Sequence, residues 1–192
     1  MLNLFLKAIC AGVMISVGCL IYITLSPVSL PTAAGLFSIS LLTILWYGFK
    51  LFTGSVGYAS YKKIPRLLLI LFGNTIGCLT ILLFPSVSYI AASIMEAKRA
   101  RTLVETFGRA IICGFLIYIA VDQFRYTDRK YAPLIAIPAF VAAEAEHCIA
   151  NLCLIFASGL AMFNIQNFIF IIVVIFGNAV GSIAFHQIKR RI

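Results

Sequence analysis

The chain has 192 residues, of which 62% are apolar and only 11% charged, and its mean hydropathy is +1.07. A water-soluble domain must cover its core with charge, so this composition excludes an ordinary soluble fold. The formal charge of +9 does not point to nucleic acid either. That would require lysines and arginines on one solvated strip with aromatic neighbours, whereas here they gather between apolar stretches.

In chain order, apolar spans are predicted at about 8–26, 34–51, 65–84, 102–124, 133–163 and 166–188. Most of them approach the roughly 20 residues that cross about 30 Å of hydrocarbon. The first span, from about Ala8 to Thr24, is longer than a signal-peptide core and lacks a small-residue cleavage pattern, so it is expected to stay in the membrane. Lys62, Lys63 and Arg66 form one basic cluster, Arg125, Arg129 and Lys130 a second, and Lys189, Arg190 and Arg191 a third. With an even number of spans, the excess of lysine and arginine in cytoplasmic loops puts these clusters and both termini inside. Lys98, Arg99 and Arg101 break the rule, because that topology places them outside.

The sequence repeats itself. Phe72-Gly73-Asn74-Thr75-Ile76-Gly77 returns as Phe176-Gly177-Asn178-Ala179-Val180-Gly181, and Lys7-Ala8-Ile9 with Cys10 is echoed by Arg109-Ala110-Ile111 with Cys113. Both offsets are about 100 residues, which divides the chain into halves at about 1–95 and 96–192 within a single domain over 1–192. Three spans per half is odd, so the second half enters the membrane inverted relative to the first, an arrangement that sets a pathway near the bilayer midplane.

The second and fifth spans are predicted to be broken. Tyr47-Gly48-Phe49-Lys50 leads into Leu51-Phe52-Thr53-Gly54-Ser55, and Glu144-Ala145-Glu146-His147 leads into Cys148-Ile149-Ala150-Asn151. Irregular backbone at this depth is tolerated only when buried in protein or lining a cavity. The fold class is therefore an all-α integral membrane protein with six spans, two inverted three-span repeats and broken second and fifth helices.

Candidate functional residues follow from cost. His147 is one of two histidines and lies mid-span, where an ionisable group is expensive and a functional role is the default. His186, beside the last basic cluster, is read as interfacial. Adjacent helical residues do not face each other, so Glu146 is expected to support the broken segment through hydrogen bonds, with Asn151 and Asn74 in the same supporting role. Glu144 is a carboxylate that disfavours a nearby anion. The six cysteines all sit in apolar segments without a CxxC pair and are read as small buried apolar residues. No metal site and no cofactor are expected.

Leu51-Phe52-Thr53-Gly54, the two Phe-Gly-Asn-x-x-Gly turns, Met95-Glu96-Ala97-Lys98 and Glu146-His147-x-x-Ala150-Asn151 together resemble the formate/nitrite transporter family, in its order and over nearly the whole chain. The resemblance implies an aquaporin-like protomer within a homopentamer, each protomer with its own pore for formate, nitrite or hydrosulfide. Thr53 and His147 match the family's central polar pair, Lys98 its lysine near the pathway, and Asn178 its pore asparagine. Phe37 and Phe140 match the outer constriction, and Leu41 and Phe52 the inner one. The chain departs from the family at Lys50, usually acidic, at Gly114, often asparagine, and at Glu144, usually small.

The expected function is a channel in the plasma (inner) membrane of a prokaryote. Its partners are small weak-acid anions, protons, membrane lipid and further copies of itself, with no nucleic acid. Lys98 is expected to attract the anion, and Thr53 and His147 to share hydrogen bonds or a proton with it. The alternative is an intramembrane enzyme acting on lipid through Glu146 and His147. It lacks a second histidine at metal-ligand spacing, and Asp122 and Asp128 are too few for phospholipid transfer.

Overall fold

The computed structural model describes residues 1–127, 129–159 and 164–191, residue 61 by its backbone only. Asp128 and residues 160–163 at the end of the fifth predicted span lie outside the described residues. The chain runs through α1 (Leu2–Leu25), α2 (Leu30–Trp46), α3 (Thr53–Val56), α4 (Ile64–Cys78), α5 (Ser88–Arg99), α6 (Leu103–Tyr126), α7 (Ala132–Ala142), α8 (Cys148–Ala157) and α9 (Ile165–Lys189). A 3₁₀ stretch, Leu79–Leu83, extends α4. Among the described residues, four helical segments are long and apolar enough to cross a membrane: Leu2–Leu25, Ile64–Leu83, Leu103–Tyr126 and Ile165–Lys189.

Two tight helix pairs frame the molecule, and small residues explain both. A β-carbon on Gly12 would lie 2.1 Å from the Asn74 carbonyl oxygen, and one on Gly77 would lie 2.2 Å from that of Ile9, so α1 and α4 touch backbone to backbone. In the other half, a β-carbon on Gly114 would lie 2.5 Å from the Asn178 carbonyl oxygen, and one on Gly181 would lie 2.2 Å from that of Ile111. Gly114 is thus fixed by the α6–α9 contact, which leaves no room there for an asparagine.

The helices between these pairs are short, and the sites of interruption correct the sequence reading. The second predicted span does not remain helical to residue 51: α2 stops at Trp46 and α3 begins at Thr53. In the fifth span the non-helical residues are 143–147, and Cys148–Asn151 form the first turn of α8. The reason is capping. The His147 ring accepts the Ala150 amide at 3.0 Å, so a helix starts where the pattern suggested an unwound segment.

One asparagine braces each non-helical segment. Asn74, fully buried on α4, accepts the Phe52 amide at 2.8 Å and donates to the carbonyls of Ala8 and Lys50, each at 2.8 Å. Asn178, fully buried on α9, accepts the Cys148 amide at 2.9 Å and donates to the carbonyls of Ala110 and Glu146 at 2.9 and 2.7 Å. Each amide thus satisfies peptide groups that have left the helical ladder, as buried backbone requires. Of the cysteines, Cys10 is exposed on α1, contrary to the expectation of burial, and the other five are buried.

Candidate functional site

The ends of the two non-helical segments meet. Thr53, the first residue of α3, and His147, the N-cap of α8, are both buried, and Thr53 Oγ1 lies 2.9 Å from His147 Nε2. The Ala150 amide donates to Nδ1 and so assigns the tautomer. A neutral imidazole with Nδ1 as acceptor carries its hydrogen on Nε2, and that hydrogen points at the Thr53 hydroxyl. Thr53 then accepts from His147 and keeps its own hydrogen to donate. Protonating Nδ1 would set two N–H groups against each other and break the cap of α8.

A cavity of about 240 Å³ ends on His147, with Phe37, Phe140, Cys19 and Asn151 in its wall and Lys98, Arg101 and Glu144 near its rim. The rings of Phe37 and Phe140 lie 6.2 Å apart, and Phe140 meets the His147 ring edge-on at 6.3 Å. Beyond these two phenylalanines is a second cavity of only about 10 Å³, lined by Leu41, Leu51, Ile15, Ile117 and Ile137 and again reaching His147. A water needs roughly 10–15 Å³ and two or more polar partners, so this second space, with Ser40 and His147 as its polar neighbours, is a tight and largely apolar pocket. Leu51 lines it with Leu41. Phe52, predicted for that role, borders neither cavity, and its backbone amide donates to Asn74. Asn178 also borders neither cavity, because its side chain is fully engaged in bracing residues 146–148.

A charge network closes the rim. Glu146 is fully buried; its Oε2 accepts from Lys98 Nζ at 2.6 Å and Asn151 Nδ2 at 2.8 Å, and its Oε1 from Arg101 Nη1 at 2.7 Å. Arg101 Nη2 also pairs with Glu144 Oε2, and Arg109 Nη1 lies 3.4 Å from the same oxygen. Arg109 Nε holds Glu105 at 2.9 Å. Lys98, Arg101 and Arg109 thus face Glu105, Glu144 and Glu146, three charges against three. This accounts for two of the cations that broke the positive-inside rule, which are paired to acids. It also tempers the role expected of Lys98, whose long-range field is offset by Glu146. Likewise Glu144 is not a bare repelling charge, since two guanidinium groups compensate it.

Sequence reasoning missed Arg101 as a partner of both acids, and missed a second cluster altogether. There Asp122 accepts from Lys189 Nζ at 2.7 Å, Tyr58 at 3.1 Å and Tyr118 at 3.3 Å, with Tyr118 also 2.9 Å from His186 Nδ1. The single acid of the α6 carboxy-terminal half, Asp122, was the available signal.

Long apolar helices packed around a buried polar centre define an all-helical integral membrane protein. The chain belongs to the formate/nitrite transporter family, whose model matches residues 1–189. It is 27% identical to the formate channel FocB of Escherichia coli strain K12 over 80% of this chain and 65% of that one. It is 26% identical to the formate channel FocA of Haemophilus influenzae Rd over 79% and 64%, respectively. It therefore spans slightly less than two thirds of the length of these two relatives. Among solved structures it resembles a pentameric formate channel with formate bound, with a TM-score of 0.84, 22% identity, and coverage of 98% of this chain and 95% of that one. It also resembles an FNT family ion channel, with a TM-score of 0.86, 21% identity and coverage of 99% and 89%. The fold is thus shared with these channels.

Proposed function

We propose that this chain is a channel for small monovalent weak-acid anions such as formate, nitrite or hydrosulfide, with six spans in two inverted halves forming one domain. The observation that carries the reading is the His147–Thr53 pair, held where a roomy polar-rimmed vestibule gives way to a tight, largely apolar pocket. A bare anion in such a pocket faces a prohibitive desolvation cost. Loss of water raises its proton affinity, so it crosses as the neutral acid. The Thr53 hydroxyl, polarised by the bond it accepts from His147 Nε2–H, donates its own hydrogen to the oxygens as hydration is lost. With Nδ1 occupied by the Ala150 amide, His147 acts as a neutral hydrogen-bond donor, and water in the vestibule brings the proton. Phe37 and Phe140 form the constriction on the vestibule side, and Leu41 with Leu51 the one beyond.

The family likeness supports a homopentamer in a prokaryotic inner membrane, and the basic clusters support cytoplasmic termini. The enzyme alternative finds no support, since both Glu146 oxygens are already taken by Lys98, Arg101 and Asn151. Flux of formate, nitrite and hydrosulfide into proteoliposomes tests the proposal. Wild-type protein is expected to conduct, faster as pH falls towards the acid's own pKa, and His147→Phe to lose flux while assembling normally. No wild-type flux of any of the three, or wild-type flux in folded His147→Phe, would refute the channel or the role of His147, respectively.

A further inference from the structure

We propose that Arg101 is an anion-docking site at the vestibule rim, and that Glu144 is a tethered carboxylate which occupies it until a small carboxylate or oxyanion displaces it. The inference rests on the channel reading and adds a capture step to it. Glu144 is, among the described residues, the non-glycine residue with positive φ, at 46°. A side chain is strained in this left-handed region, and such strain gathers at functional sites. What the strained backbone achieves here is to hold a carboxylate at the rim, against two guanidinium groups.

The two acids on Arg101 differ in a way that decides which one moves. Glu146 is fully buried, so its bond to Nη1 at 2.7 Å anchors the guanidinium plane. Glu144 is 58% exposed at the side chain, and its oxygen on Nη2 can leave for water. Arg109 lies 3.4 Å from that same oxygen, so the vacated place remains flanked by two guanidinium groups. Arg101's fork is divided, with Nη1 on Glu146 and Nη2 on Glu144, so one oxygen of an arriving anion takes the place of Glu144 Oε2 between Arg101 Nη2 and Arg109 Nη1. The exchange keeps the rim's charge balance, since one negative group replaces another. Lys98 offers no equivalent place, because the oxygen it holds belongs to buried Glu146.

The test uses Glu144→Gln, which keeps the shape, and Glu144→Gly, which accepts the positive φ without strain and so guards against misfolding. The full chain in detergent is heated with increasing sodium formate, and the apparent dissociation constant is read from the rise in melting temperature. The concentration of formate giving half-maximal flux is measured in proteoliposomes. An exposed ion pair is a weak competitor, so both constants are expected to fall about three- to fivefold in both variants, with maximal flux within about twofold. In an Arg101→Lys background, which keeps the charge but not the fork, the same changes are expected to have no effect. Unchanged constants in Glu144→Gln and Glu144→Gly would overturn the tether. If the wild type conducts nothing, the channel reading fails, and the melting series alone decides the docking site.

Discussion

Replacing Asn178 by leucine keeps roughly the same volume on α9 and deletes an amide that makes three buried hydrogen bonds. Its acceptor holds the Cys148 amide at 2.9 Å, and its donors hold the carbonyls of Ala110 and Glu146 at 2.9 and 2.7 Å. Ala110 lies within α6 and keeps its helical partner. The Cys148 amide, at the first position of α8, and the Glu146 carbonyl, in the non-helical segment, have no such replacement. A buried donor left without a partner costs about 1–3 kcal/mol and a lost neutral bond about 1 kcal/mol, so Asn178→Leu is expected to destabilise by about 2–4 kcal/mol. The same segment carries His147, so flux should fall more steeply than the folded fraction. Denaturant unfolding of purified protein in detergent, paired with proteoliposome flux, separates the two losses. Asn74→Leu should behave alike, since it frees the Phe52 amide and the Lys50 carbonyl beside Thr53. A stability change below about 0.5 kcal/mol, the range of unremarkable surface substitutions, would refute the bracing role.

Glu146→Gln leaves Lys98 and Arg101 with no buried counter-charge; breaking such a pair from one side is expected to cost about 3–5 kcal/mol, read as a lowered melting temperature. Gly77→Ala drives a methyl to 2.2 Å from the Ile9 carbonyl oxygen and must push α1 from α4, at an expected cost of about 1–3 kcal/mol. Gly108→Ala, where nothing lies within 4 Å, is the matched control and should leave the melting temperature unchanged or slightly higher.

The sequence by itself determined what depends on local composition and on pattern along the chain. Long apolar runs without charge have few places to be other than a membrane, and they mark α6, α9 and α4 with its 3₁₀ extension closely, while α1 starts at Leu2, ahead of the predicted Ala8. The Phe-Gly-Asn-x-x-Gly repeat was legible because it is a linear string. A supporting role was legible for Asn74 but not for Asn178, and the partners of neither were, since each amide reaches groups far away in sequence, such as Ala8 from Asn74 and Ala110 from Asn178. His147 stood out through the cost of an ionisable group at mid-span, yet only the structure decided that its Nδ1 caps α8. Nothing in the chain order said that Leu51 rather than Phe52 would line the narrow pocket, because a backbone that has left the helix no longer follows a 3.6-residue period. The pairing of Arg101 with Glu144 and Glu146 was equally invisible. A charge's partner is whichever opposite charge packing brings within about 4 Å, where burial makes an unpaired ion costly, and that distance is set by how α5 and α6 lie against α7 and α8.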